Sequence, residues 1–163
     1  MQIRDAEEKD IPHLTEIYNE VLISSTAIYR DIPVSVEERL QWFRIQREKA
    51  YAVLVAEERD RLVGFASYGD FRPWPGYRFT VEGSIHLRSE ARRQGAGTRL
   101  FQALIAHARD AGKHMLIAGV DSENLASLRF LEKLGAERVA HLREVGYKFG
   151  RYLDLVLFQI PLS

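Results

Sequence analysis

Cysteine is absent from the 163 residues, which excludes disulfides, a thiolate nucleophile and any cysteine-ligated zinc site. That absence also fits a cytoplasmic chain. No apolar run approaches the roughly 18 residues that a membrane-crossing helix needs, and Met1–Glu8 is charged, without the apolar core of a secretory signal. Neither sign of charge is in excess: 23 Lys plus Arg balance 23 Asp plus Glu, whereas a general nucleic-acid binder carries a basic surplus. Repeats, low-complexity tracts and linkers are missing too, so residues 1–163 read as a single domain, long enough to bury a real core. The remainder, 46% hydrophobic and 28% charged, is ordinary for a globular protein.

Gln2–Arg4 reads as a short first strand. Asp10 is placed to cap a helix starting at Ile11–Pro12, where proline is tolerated. Leu14, Ile17, Val21 and Leu22 give that helix a buried stripe, which fades at Ser24–Thr26. Ala27–Val34 is irregular. Ser35–Glu38 is a capping box opening a second helix with Leu40, Phe43 and Ile45. Tyr51–Ala56 and Leu62–Tyr68, joined by the charged turn Glu57–Arg61, read as a hairpin, and Gly64 marks a bulge or a close approach. Gly69–Tyr77 is an aromatic loop stiffened by two prolines. Later, Lys113–Val120 reads as a strand, and Asp121–Asn124 caps a helix over Leu125–Leu134, ended by Gly135. Glu137–Leu142 and Tyr152–Ile160 form a last strand pair, joined by a loop over Glu144–Arg151. Such an alternation, finishing in a hairpin, indicates an α+β sheet protein.

Residues 80–99 organise the rest. Thr80–Leu87 has the pattern of a strand, Arg88–Arg93 is charged and has no apolar face, and Gln94–Gly95–Ala96–Gly97 runs into a helix with Leu100, Phe101, Leu104, Ile105 and Ala108 at helical spacing. Strand, glycine-bearing loop and helix present unpaired backbone N–H groups to an anion, helped by the helix dipole. A Gly-x-Gly turn serves equally where only its dihedrals are needed. The pattern is neither a dinucleotide fingerprint nor a P-loop, because it lacks the third glycine of the one and the Gly-Lys-Ser/Thr of the other. Arg92, Arg93 and Gln94 at the mouth of the turn favour the anion.

Arg92-x-x-Gly95-x-Gly97, following a strand and opening a helix, resembles the pyrophosphate-binding motif of the GNAT superfamily of N-acetyltransferases, and the resemblance covers nearly the whole chain. Tyr77-x-x-Thr80-Val81-Glu82-x-Ser84 and Val145–Asp154 resemble, more specifically, the phosphinothricin and methionine sulfoximine acetyltransferase branch. The resemblance implies a three-layer fold with a mixed, mostly antiparallel sheet of six or seven strands flanked by helices. It implies acetyl-CoA as cosubstrate, no metal, and acetylation of the α-amine of methionine sulfoximine, methionine sulfone or phosphinothricin as a detoxification. It further implies a homodimer, in which the Val145–Asp154 loop with Lys148 reaches the partner's substrate pocket.

Acetylating an amine requires a base for the ammonium proton and donors for the developing oxyanion, and an acid helps the thiolate leave. Glu82 on the central strand is the candidate base, with a surface carboxylate as its plain alternative. By the resemblance, backbone N–H groups near Ile85 and Leu87 serve the oxyanion, and pantetheine pairs along Ile85, His86 and Leu87. Arg92, Arg93, Gln94, Gly95, Ala96, Gly97 and Thr98 then hold the pyrophosphate, with Asn124 and Lys133 also at the cofactor. As bare residues, Asn124 is a good helix cap and Lys133 a solvated helix lysine. The acceptor pocket falls to Tyr29, Arg72, Pro73, Trp74, Glu82, Gly83, Ser84 and Lys148. Arg72 is suited to a bidentate grip on a carboxylate, supplemented by Arg78.

The chain departs from its relatives at the acid. Leu131 stands where many members carry Tyr or His, and His86 stands where the branch often carries Tyr, which makes His86 a candidate substitute. Two other readings remain open. One keeps the cofactor and takes a peptide N-terminus or a polyamine as acceptor; a polyamine wants an acidic wall, which Arg72 and Arg78 oppose. The other is a non-catalytic acyl-CoA sensor, favoured by Leu131 and opposed by Glu82.

Overall fold

The computed structural model describes residues 1–163. Seven strands form one sheet in the order β1-β2-β3-β4-β5-β7-β6. They are β1 (Gln2–Asp5), β2 (Val53–Glu58), β3 (Arg61–Asp70), β4 (Thr80–Leu87), β5 (Met115–Asp121), β6 (Glu137–Lys148) and β7 (Arg151–Pro161). Four helices flank them: α1 (Ile11–Ser24), α2 (Val36–Glu48), α3 (Ala96–Asp110) and α4 (Leu125–Lys133). Every neighbouring pair is antiparallel except β4–β5, so the mixed, mostly antiparallel sheet implied by the family resemblance is present in its seven-stranded form.

Strand periodicity splits the core between the two sheet faces. Val81 of β4 and Leu116 of β5 pack against Leu100, Phe101 and Leu104 of α3 and Leu128 and Leu131 of α4. On the opposite face Val53, Val55, Leu62 and Phe65 meet Ile11, Leu14 and Ile17 of α1 and Phe43 of α2. The β2–β3 turn is Arg59–Asp60, with φ of 50° and 59°. At Gly64 both alternatives hold: the register slips between Ala56 and Glu57, and a Cβ would collide with Leu87.

Three local expectations give way. Asp10 does not cap α1; its buried carboxylate accepts from Glu7 N and pairs with Arg4 at 2.7 Å, because a cation and a preceding turn are nearer than the first turn of α1. Ser35 does cap α2 through Glu38 N, but Glu38 turns to Arg30 instead of closing the box. The loop expected over Glu144–Arg151 is strand: β6 runs to Lys148 and the turn is Phe149–Gly150, with φ of 53° and 74°. A bulge between Leu142 and Gly146 absorbs the polar residues that break the strand pattern.

Candidate active site

β4 and β5 pair only from Thr80↔Met115 to Glu82↔Ile117. Beyond that β4 stays with β3 as far as Leu87, while β5 stays with β7 as far as Asp121. The two strands therefore part, and alternate residues of Gly83–Leu87 turn N–H and C=O groups into the gap. The wedge holds a cavity of about 110 Å³ lined by both strand edges, by Ala27 of the α1–α2 connection, and by Asn124, Ser127 and Leu131. An unpaired strand edge at a split of this kind suits an extended amide-bearing chain, which can complete the ladder.

At the outer end of the wedge, Gly95 takes φ of 86° and no side chain caps α3. The first-turn N–H groups of Ala96, Gly97 and Thr98 are therefore left to an anion. Gly95 faces open space, so its missing Cβ permits both the dihedral and a close approach. Gly97 has another role: its Cβ position looks inward, 3.4 Å from Leu87 and 3.6 Å from Phe130, and lets α3 settle on β4. Arg92 and Arg93 are exposed at the mouth. Gln94 instead donates to Glu90 O at 2.8 Å and holds the preceding turn. Arg88 leaves the basic cluster altogether, being buried against Glu16 and Leu62 O. Asn124 caps α4 through Ser127 N at 3.2 Å while lining the wedge. Lys133 is exposed one turn beyond Phe130, on the side of α4 that approaches Gly97. These residues fit a coenzyme A thioester: a strand edge for its amides, and a helix start with two free arginines for its phosphates.

Glu82, Ser84 and His86 share the face of β4 turned toward α1 and α2. Glu82 opens onto the cleft at the point where β5 departs. Surrounding protein withholds solvent and pushes its carboxyl pKa up, against a smaller downward pull from Arg72. Arg72 is exposed, stacks over Phe71 at 5.0 Å and forms no ion pair, so its guanidinium fork is free. Pro73 and Trp74 extend the same exposed loop, and Arg78 turns back to Pro75 O and stacks on Phe79. Tyr29, on the α1–α2 connection, has its hydroxyl occupied: it donates to Asp121 Oδ1 at 2.7 Å and lies 3.0 Å from Asp154 O. Burial, then the Asp121 bond, raises its pKa. Gly146 packs so closely on the Tyr29 ring that no Cβ would fit. Asp121, read from the sequence only as part of a helix cap, also takes Thr26 Oγ1 at 2.6 Å and so ties the α1–α2 connection to the end of β5.

Two assignments need correction. His86 packs against Tyr18 and Phe65 at centroid distances of 5.5 and 5.1 Å. Burial, then the positive charge of Arg39, lowers its pKa to about 4. It is neutral at physiological pH, and no imidazolium is available as a proton donor. Lys148 does not reach out to a partner. Its side chain is buried within its own chain, where Nζ donates to Leu22 O, to Ser25 O at 2.8 Å and to Ile28 O at 2.7 Å. It closes the carboxyl end of α1, where a cation is favoured. Leu131 is buried on α4 and, with Ser127 one turn earlier, lines the wedge.

The chain is similar to known proteins along its whole length. An L-methionine sulfoximine/L-methionine sulfone acetyltransferase of Salmonella typhimurium is 41% identical over 163 residues, covering 100% of this chain and 95% of that protein. A phosphinothricin N-acetyltransferase of Alcaligenes faecalis is 35% identical, over 99% of this chain and 82% of its own. A Salmonella typhimurium acetyltransferase structure solved with its cofactor acetyl-CoA superposes with a TM-score of 0.96 at 40% identity, over 99% of this chain and 94% of that one. Residues 14–136 match the model of the acetyltransferase (GNAT) family, and the chain belongs to the GNAT family of acetyltransferases.

Proposed function

We propose that the protein transfers an acetyl group from acetyl-CoA to the α-amine of a small amino acid bearing an oxidised sulfur or phosphorus group: methionine sulfoximine, methionine sulfone or phosphinothricin. The carrying observation is Glu82 at the point where β4 leaves β5, open to the cleft yet partly desolvated, and close enough to feel the charge of an unpaired Arg72. The names of the relatives above support the substrate class.

Acetyl-CoA supplies the activated acetyl thioester. Arg92, Arg93 and the N–H groups of Ala96, Gly97 and Thr98 hold its phosphates, and Gly83–Leu87 offers the edge along which its amides lie. Arg72 takes the acceptor's carboxylate in a bidentate grip, which brings the ammonium to Glu82. The raised carboxyl pKa makes Glu82 a stronger base for that proton, directly or through water. N–H groups near Ile85 and Leu87 face the oxygen on which negative charge develops. No protein acid is assigned to the leaving sulfur: Leu131 is apolar, His86 is neutral, and a thiol pKa near 8.5 makes thiolate a tolerable leaving group.

The arm made by β6 and β7 exposes Val145, Tyr147, Phe149 and Tyr152. Contiguous exposed aromatics support a homodimer through this arm, and a sedimentation mass equal to one chain at all concentrations would overturn it. The acetyl-CoA supply supports a cytoplasmic place of work. The function is tested by coenzyme A release with methionine sulfoximine, methionine sulfone, phosphinothricin, ordinary amino acids, spermidine and a short peptide. Turnover confined to the first three is expected. Turnover only on peptide or polyamine would overturn the substrate class, and binding of acetyl-CoA with no turnover would overturn the enzyme reading.

A further inference from the structure

Arg39 of α2 is a half-buried cation with no acid or carbonyl to hold it. Its guanidinium lies 3.8 Å from the Trp42 ring centroid, 4.3 Å from Tyr18 and 5.9 Å from Phe65. Nε is the only sealed side-chain nitrogen or oxygen with no hydrogen-bond partner; the two terminal nitrogens are not sealed and donate to nothing in the chain. The nearest carboxylate in sequence, Glu38, is engaged by both terminal nitrogens of Arg30 at 2.9 and 3.2 Å. Buried cations are ordinarily paired, since removing one from water is costly. Burial does lower the Arg39 pKa, to about 10, which still leaves it charged at neutral pH.

Its position relates it to the acceptor. Arg39 bears on His86, and His86 lies on the same face of β4 as Glu82 and Ser84. On the function proposed above, the attacking amine lies between Glu82 and the N–H groups near Ile85, over Ser84. The α-carboxylate shares a carbon with the amine and stays on the Arg72 side. The acceptor side chain then runs along the strand, where the next position on the same face, about 6.5–7 Å on, is His86 beneath Arg39. In an extended acceptor the sulfur or phosphorus lies about 5 Å from the amine and its oxygens about 6 Å, which points those oxygens toward that position.

We propose that Arg39 is the specificity site for the acceptor's distal oxidised group, with Tyr18, Trp42 and Phe65 as its apolar walls and its two terminal nitrogens as donors to sulfonyl or phosphinyl oxygens. The site rests on the acceptor class proposed above. It explains a preference for oxidised sulfur over a thioether: a thioether leaves a desolvated guanidinium without an acceptor, and a site built around a buried donor rejects the analogue lacking the acceptor.

The test compares wild type, Arg39→Met and Arg39→Lys on methionine sulfone, phosphinothricin and methionine. Arg39→Met keeps the apolar stem against Tyr18 and Trp42. It is expected to lower kcat/KM about 100-fold for phosphinothricin and about tenfold for the sulfone, charged acceptors gaining most from a cation. Methionine, rejected by the wild type, should gain turnover or stay at background, the acetyl-CoA KM should stay within twofold, and Arg39→Lys should recover part of the phosphinothricin loss. An equal fall on methionine and sulfone, or an unchanged sulfone rate, would overturn the subsite, and a matched melting temperature excludes unfolding as the cause. If the wild type acetylates none of the three, the acetyltransfer reading falls, and calorimetric titration of the sulfone decides the subsite alone. Binding lost in Arg39→Met supports it, and binding unchanged overturns it.

Discussion

The two sides of the wedge are built from different materials. The side proposed for the cofactor relies on backbone: a strand edge left unpaired by the divergence of β4 and β5, and an uncapped helix start at Gly95. Two free arginines are its main side-chain contribution. The side proposed for the acceptor relies on side chains arriving from distant parts of the chain. Asp121 of β5 holds Thr26 and Tyr29, Lys148 of β6 holds three carbonyls between Leu22 and Ile28, and Arg39 of α2 stands over β4. Backbone geometry tolerates changes of side chain, so the cofactor side can stay constant while specificity moves by single substitutions on the other side.

Substitutions that strike one side and spare the other sharpen this contrast. Glu82→Gln should have the largest effect, lowering kcat for the amine at least 100-fold with the acetyl-CoA KM unchanged; turnover within threefold of wild type would remove Glu82 as base. In the wild type, kcat/KM should fall as pH drops through an ionisation above the ordinary glutamate value of 4.5, since only the carboxylate accepts a proton and burial raises its pKa. Glu82→Gln should lack that limb.

Lys148→Met comes next. It orphans three carbonyls at the end of α1 and should cost about 3 kcal/mol in urea unfolding. The amine KM should rise about tenfold, with the acetyl-CoA KM unmoved. A larger effect on acetyl-CoA than on amine would erase the division between the two sides.

His86 contributes a stability effect confined to acid. Its folded pKa is about 4 against 6.5 in the unfolded chain, so the unfolded state binds the proton first. Stability is retained above pH 6.5 and lost as pH falls toward 4, by about 3 kcal/mol in all. Melting curves of His86→Gln should show a correspondingly flatter pH dependence over that interval. Gly95→Val is the smallest and the mirror image of Lys148→Met: a β-branched residue at φ of 86° is strained by about 1–2 kcal/mol. It should raise the acetyl-CoA KM about tenfold and leave the amine KM alone.

Much of the fold and of the cofactor side was legible in the sequence because their signals are local. The caps at Ser35 and Asn124, the alternation of β4 and the Gly95 turn into α3 each depend on residues a few positions apart. Glu82 was legible as a candidate through its motif and its place on the central strand. The extent of β6 was not, because its bulge leaves Arg143–Val145 out of register and the polar run reads as a loop. Asp121 and Ser127 were missed at the wedge because neither carries a local signal beyond a strand end and a helix start.

By itself, then, the sequence determined the α+β architecture, the glycine turn into α3, the family and a carboxylate on the central strand. All of these follow from periodicity, capping and short motifs that act within a turn or a strand. The tertiary structure alone decided what each polar side chain faces. Lys148 and Leu22 are brought together across 126 positions, Tyr29 and Asp121 across 92, while Arg39 is left with aromatic rings but no hydrogen-bond or ion-pair partner. Whether a charge becomes a strut, a base or an open site depends on desolvation and on which groups arrive from elsewhere, and those are set only once the sheet and its helices have packed.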